Sequence, residues 1–318
     1  MGSQNTSNTS KEEKDKKKQN KQIGDLNNIK SELILKQIFA NIKSNKSLKI
    51  IKYNKKIQQR LDISINNYKD YFNNISIELE LILNKKDYGP YINISKEEES
   101  FFHIYFNNTK EEIFAYNVTT KDNVDKIKII IDPQVKSFNE LFKDCICIES
   151  INFLKFKRNN INNMSYMFCK CSSLKEINFS NFNTDNVTNM SCMFFECTQL
   201  KKLDLINFNV QNVNDMSSMF QGCTSLKELN ISKFNTNNVI NMIYMFCGCS
   251  SLKKLNLSNF NTNNVRNMGS MFQECSSLKE LNISNFNTNN VTDMSYMFSG
   301  CSSLKELNLS NFNTNNVT

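Results

Sequence analysis

The stretch Asn290–Thr318, NVTDMSYMFSGCSSLKELNLSNFNTNNVT, decides the fold. Met294, Met297, Phe298 and Cys301 stand at i, i+3, i+4 and i+7, and this spacing predicts a two-turn helix with one apolar face. Asp293 precedes it as an N-cap, and Gly300 helps to end it. Leu304, Leu307 and Leu309 then spell L-x-x-L-x-L, a short strand with Leu307 and Leu309 inward and Glu306 and Asn308 outward. Phe312 turns back to the core.

The same pattern recurs upstream every 26 residues. Met164, Met190, Met216, Met242, Met268 and Met294 form one column, and Cys171, Cys197, Cys223, Cys249, Cys275 and Cys301 form another. Leu174 through Leu304 and Phe182 through Phe312 follow the same step. A further step back lands on Phe138 and Cys145, so seven copies are expected, the first degenerate. A unit of this kind buries its apolar face only against its neighbours, so stability comes from stacking. Asn313 and Asn316 have counterparts in every full copy back to Asn183 and Asn186. Stacked loops need their backbone groups satisfied, and an asparagine ladder does this. The expected fold class is α/β: a leucine-rich-repeat solenoid of short parallel strands and short helices, preceded by a small α+β unit. No polar capping repeat follows Val317, so the expectation is either a longer native chain or self-association at the uncapped C-terminal end.

The quoted stretch resembles the repeat of the BspA-like leucine-rich-repeat surface proteins, a family abundant in bacteria such as mycoplasmas and in ciliates and other protists. The resemblance covers residues 138–318. It implies the solenoid fold and a role in adhesion or host interaction. In two respects the chain departs from the family. The family often carries Asp where Asn313 stands, and many members carry a secretion or lipoprotein signal that this N-terminus lacks.

Ahead of the repeats, residues 1–22 are polar, Lys-rich and have almost nothing to bury, which predicts a disordered tail. Residues 23–136 are expected to form a helical and β unit, with the repeats at 137–318. Leu35, Ile38, Phe39 and Ile42 share one helical face, and Ile50, Tyr53, Ile57 and Leu61 suggest a second, basic helix. Ile75, Ile77, Leu79, Leu81 and Leu83 alternate as in a half-buried strand. Phe101–Phe106 and Ile113–Val118 read as a hairpin, and Lys126–Ile131 as a further strand stopped by Asp132-Pro133.

Composition excludes several function classes. The net charge of +8 comes largely from Lys scattered among acids over the first 160 residues, without an Arg-rich or aromatic-interleaved stripe, so no nucleic-acid partner is expected. The 11 Cys mostly recur with the repeat, as buried small hydrophobes do, and reduced thiols are expected. Cys145/Cys147, Cys169/Cys171 and Cys247/Cys249 are C-x-C pairs, closer than the usual zinc spacing, and one Cys of each pair belongs to the repeat column. No metal and no cofactor is expected. His103 is the single histidine, placed in a strand, and no G-x-S-x-G, P-loop or G-x-G-x-x-G occurs, so no enzyme is expected.

Two binding features stand out. Met1-Gly2-Ser3-Gln4-Asn5-Thr6 fits the N-myristoylation pattern, with Gly2 the lipidation candidate in a eukaryotic host. Lys14, Lys16, Lys17 and Lys18 follow as the basic second signal for a membrane surface. Within the repeats, Lys175, Lys201, Lys227, Lys253, Lys279 and Lys305 form a lysine stripe beside a Glu-or-Lys column, a candidate binding stripe. The N-x-[ST] sequons, such as Asn308-Leu-Ser310, read as accidents of an Asn-rich composition. The expected protein is a non-enzymatic interaction scaffold with protein partners, cytoplasmic and tethered at the inner membrane surface by its N-terminus. The alternatives are a cell-surface adhesion protein, or an adaptor that recruits a complex through residues 23–136.

Overall fold

The computed structural model describes residues 29–41, 50, 54–61 and 74–318. They fall into two compact units: the described residues before Ser76 with Asp132–Gln134, and Ser76–Ile131 with Val135–Thr318. The first contains helices α1 (Glu32–Asn41) and α2 (Lys55–Leu61). Ser31 and Asn54 start them: Ser31 Oγ accepts the Ile34 N–H at 3.4 Å, and Asn54 Oδ1 accepts the Ile57 N–H at 3.0 Å. Leu35, Ile57 and Leu61 are buried, as their spacing predicts. Ile42 and Tyr53 lie outside the described residues, as do Gly2, Lys14, Lys16, Lys17 and Lys18.

The second unit opens with strands β1 (Ile77–Leu83), β2 (Gly89–Pro90), β3 (Phe102–Phe106), β4 (Asn117–Val118), β5 (Lys126–Ile131) and β6 (Ile148–Lys155). Strand β7 (Glu176–Asn178) follows, and the sheet order is β3-β5-β1-β6-β7. Strand β1 is antiparallel to both β5 and β6, whereas β6 and β7 run parallel, so β6 joins an antiparallel sheet to the repeat ladder. On the inner face Ile77, Leu79, Leu81, Ile127, Ile129 and Ile131 are fully buried. On the outer face Lys126 and Lys128 each reach a carboxylate of β1, Glu80 and Glu78, at 2.6 Å.

Two expectations are corrected here. Phe101–Phe106 and Ile113–Val118 do not form a hairpin: β3 pairs with β5, and β4 pairs with β2. Strand β5 buries every second residue, whereas Phe114 in the expected partner is 79% exposed, so β5 has more apolar surface to bury. The division expected at residues 136/137 also moves. Because β1 pairs along its length with β6, residues 76–131 go with the repeats.

The repeats stack with a constant offset. Bridges join Ser137 to Asn163, Asn163 to Asn189, and so on to Asp293, each a step of 26. Strands β8 (Lys202–Asp204), β9 (Glu228–Asn230), β10 (Lys254–Asn256) and β11 (Glu280–Asn282) are three residues long, and β8 with β9 and β10 with β11 pair in parallel.

The two-turn helix expected in each repeat is absent. In the rung Met216–Cys223 the N–H groups of Met216, Ser218, Phe220 and Gly222 donate to the next rung, to Asn241, Ile243, Met245 and Cys247 carbonyls at 2.8–3.1 Å. The intervening N–H groups of Met219, Gln221 and Cys223 close turns onto the carbonyls three residues back. Each rung holds two left-handed residues, for example Ser218 at φ 54° and Gly222 at φ 74°. An α-helix keeps its N–H groups to itself. Here the left-handed kinks aim every second N–H along the stack, and a turn ladder replaces the helix.

That ladder carries the core. Phe142, Phe168, Phe194, Phe220, Phe246, Phe272 and Phe298 form a continuous ring stack, with centroids 5.5–5.8 Å apart and planes within 15° of parallel. The expected spine of the Phe312 column is present in segments, from Phe156 to Phe208 at 4.5 and 5.3 Å, from Phe234 to Phe260 at 6.3 Å and from Phe286 to Phe312 at 6.5 Å.

Candidate interaction face

Each rung leaves a fixed set of positions outside. In Leu252–Leu257 the three leucines are at most 4% exposed, so Lys253, Lys254 and Asn256 must face solvent. Repeated down the stack, this places Lys175, Lys201, Lys227, Lys253, Lys279 and Lys305 in one exposed file. The fixed period is what brings them together.

The file beside it alternates in sign: Glu176, Lys202, Glu228, Lys254, Glu280, then Glu306. Lys202 meets Glu228 at 3.1 Å and Lys254 meets Glu280 at 2.7 Å. All four side chains are more than 60% exposed, so each pair contributes about 0–1 kcal/mol. Lysines stacked about 4.8 Å apart repel, and the alternation relieves this. At the top of the lysine file Lys175 pairs with Glu149 at 2.9 Å. The third file is committed to structure: Asn178, Asn230, Asn256, Asn282 and Asn308 each accept a backbone N–H two residues on.

The expected asparagine ladder is present behind the strands. Asn261, Asn287 and Asn313 each cap their own turn with Oδ1 and donate Nδ2 at 2.8 Å to an asparagine in the rung before. Sequence reading missed a buried threonine file next to it. The Thr236 and Thr262 hydroxyls donate at 2.9 Å to the Asn261 and Asn287 carbonyls, and accept the N–H of the same residue. Val210 in this column was the available signal, since an apolar residue of the same shape among the threonines points to a position that the fold buries.

The cysteines also do structural work. Cys171, Cys197, Cys223, Cys249 and Cys275 donate their thiols at 2.9–3.2 Å to the Phe carbonyl one rung back. Burial pushes the Cys223 and Cys275 thiols up to about 12, so they hold their protons and are poor nucleophiles. All the cysteines are free, and no group of metal-ligating residues occurs among the described residues. His103 Nδ1 lies 2.7 Å from Glu112 Oε1 at the outer edge of the sheet. No helix among the described residues is long and apolar enough to cross a membrane.

Away from the strands, an open groove of about 580 Å³ runs over four rungs, lined by Asn238, Asn264, Asn290, Asn316, Ile240, Arg266 and Thr292.

A family profile described as "Mycoplasma protein of unknown function, DUF285" matches residues 136–255 and 224–318. No curated protein matches the chain. A solved leucine-rich-repeat protein of T. pallidum is 19% identical over 54% of this chain and 71% of its own, with a TM-score of 0.34.

Proposed function

The chain belongs to the DUF285 family through its repeats, and from that premise we propose that it is a non-enzymatic scaffold that binds other proteins through the strand face of the stack. The observation that carries this is the division of labour within a rung. The Asn, Thr and Cys side chains are spent on bonds between rungs, whereas the lysine file and its Glu/Lys neighbour stay outside, one pair per rung. A rigid polar face with regular charge spacing suits an acidic protein partner through steering and register. The test is capture of partners from a lysate of the source cells by the full chain and by a Lys227→Gln/Lys253→Gln/Lys279→Gln variant. Partners that are retained equally by both would sink this reading.

A lipid tether at Gly2, backed by Lys14, Lys16, Lys17 and Lys18, adds a membrane surface to the same scaffold. It is motivated by the sequence MGSQNT alone. The rival reading, a BspA-like adhesion protein at the cell surface, puts the same array outside the cell. Intact mass distinguishes them: loss of Met1 with a gain of about 210 Da means one myristoyl group, and glycans on the repeat sequons mean export.

A further inference from the structure

The groove lined by none of the strand residues has a chemistry of its own. Its wall is a row of four asparagines, one per rung. Asn264, Asn290 and Asn316 donate Nδ2 at 2.7 Å to the backbone carbonyls of Asn237, Asn263 and Asn289, and Asn238 does the same to Gln211 at 2.6 Å. The four amides are thereby pinned in one orientation. Their Oδ1 atoms accept from no group among the described residues, although all four residues are exposed. The groove therefore offers a regular row of acceptors. Beside it stand Ile240, 47% exposed, and the exposed Arg266, the only ionised residue of the lining.

The spacing restricts what fits. Successive rungs are about 4.8 Å apart, whereas the N–H groups on one edge of an extended peptide recur every second residue, about 6.8 Å. A peptide along the groove falls out of step after one contact. Hydroxyl groups rotate to donate in any direction, and a sugar chain carries several per residue, so it can serve every acceptor. A guanidinium forks onto a carboxylate, and an exposed isoleucine offers an apolar patch to a sugar ring. The volume is that of a ligand-sized site. We propose that this groove binds a segment of an acidic polysaccharide, with its hydroxyls on Asn238, Asn264, Asn290 and Asn316 and a uronate carboxylate on Arg266. The site goes beyond the strand-face scaffold and does not depend on it.

The test is titration of the full chain with short galacturonic acid oligomers and with the neutral galactose oligomers of the same length, followed by calorimetry. Saturable binding of the acidic oligomers, weakened about tenfold by Arg266→Gln and weakened less by Arg266→Lys, which keeps the charge but not the fork, is the expected result. The neutral oligomers should bind more weakly and be indifferent to Arg266→Gln. Because Arg266 is exposed, the thermal midpoint should not move. Absence of binding overturns the proposal. So does binding that survives Arg266→Gln but is lost in Lys227→Gln/Lys253→Gln, which would place a non-specific polyanion on the lysine file instead.

Discussion

The Cys249 thiol donates to the Phe220 carbonyl at 3.2 Å, and that carbonyl already accepts the N–H of Cys223 in its own turn. One oxygen thus closes a turn and ties it to the next rung. The bond requires a protonated thiol, and burial keeps the proton on. For Cys223 and Cys275 the shift runs from 9.0 to about 12. An unfolded chain releases these protons from about pH 9 upward while the folded chain keeps them, so the folded state binds more protons and stability falls as pH rises. The urea midpoint should be level from pH 6 to 8 and drop steadily from about pH 9 toward pH 12. A midpoint unchanged at pH 10 would mean that the thiols are not protonated donors.

Val210 interrupts the threonine file. Its neighbours Thr184, Thr236, Thr262 and Thr288 each bond the backbone of an asparagine in the next rung, and a valine has no hydroxyl to offer Asn235. Val210→Thr should raise stability by about 0.5–1.5 kcal/mol, and Thr262→Val should lower it by a similar or larger amount. Chemical denaturation of the two variants checks the pair, and a destabilised Val210→Thr would refute the role of the hydroxyl.

Position along the stack should set the cost of a core deletion. Leu252 is 1% exposed with rungs on both sides, whereas Leu304 in the last described rung is only half-buried. Leu252→Ala should cost about 2–5 kcal/mol and Leu304→Ala clearly less. Equal costs would contradict stabilisation by stacking.

The alternating file makes an electrostatic prediction. Glu228→Lys would set three lysines in consecutive rungs with Lys202 and Lys254. At these exposures the penalty should be only a few tenths of a kcal/mol. It should vanish near 1 M salt, where the screening length is about 3 Å. A loss that persists in high salt would point to packing rather than charge.

Much of this architecture was legible because the period repeats intact: once Met, Cys, Leu and Phe recur at one step, the files of Lys and Asn follow from register alone. The turn ladder was not legible. Met294, Met297, Phe298 and Cys301 have the spacing of a helical face, yet two consecutive turns with left-handed residues display the same side chains. The two differ in where the N–H groups go, and that depends on a neighbouring rung. Glycine marks the second left-handed position at Gly222, Gly248 and Gly300, but Asp144, Lys170, Glu196 and Glu274 hold the same conformation and conceal it. The pairing of β3 with β5 was likewise hidden, because strand choice turned on which of two segments had more apolar surface to bury. For the groove at Arg266, the period supplied the asparagine row, while the orientation of its amides is set by carbonyls 27 residues away.

Exporting every second N–H has a mechanical side. The bonds between rungs run along the stacking direction, so a pull applied to the ends of the array loads them in series and peels one coil at a time. Each event should free 26 residues, or about 90 Å of chain at 3.3–3.6 Å per residue. A single array held in an optical trap should therefore lengthen in equal steps at nearly equal force, shortening again by the same steps when the tension is released.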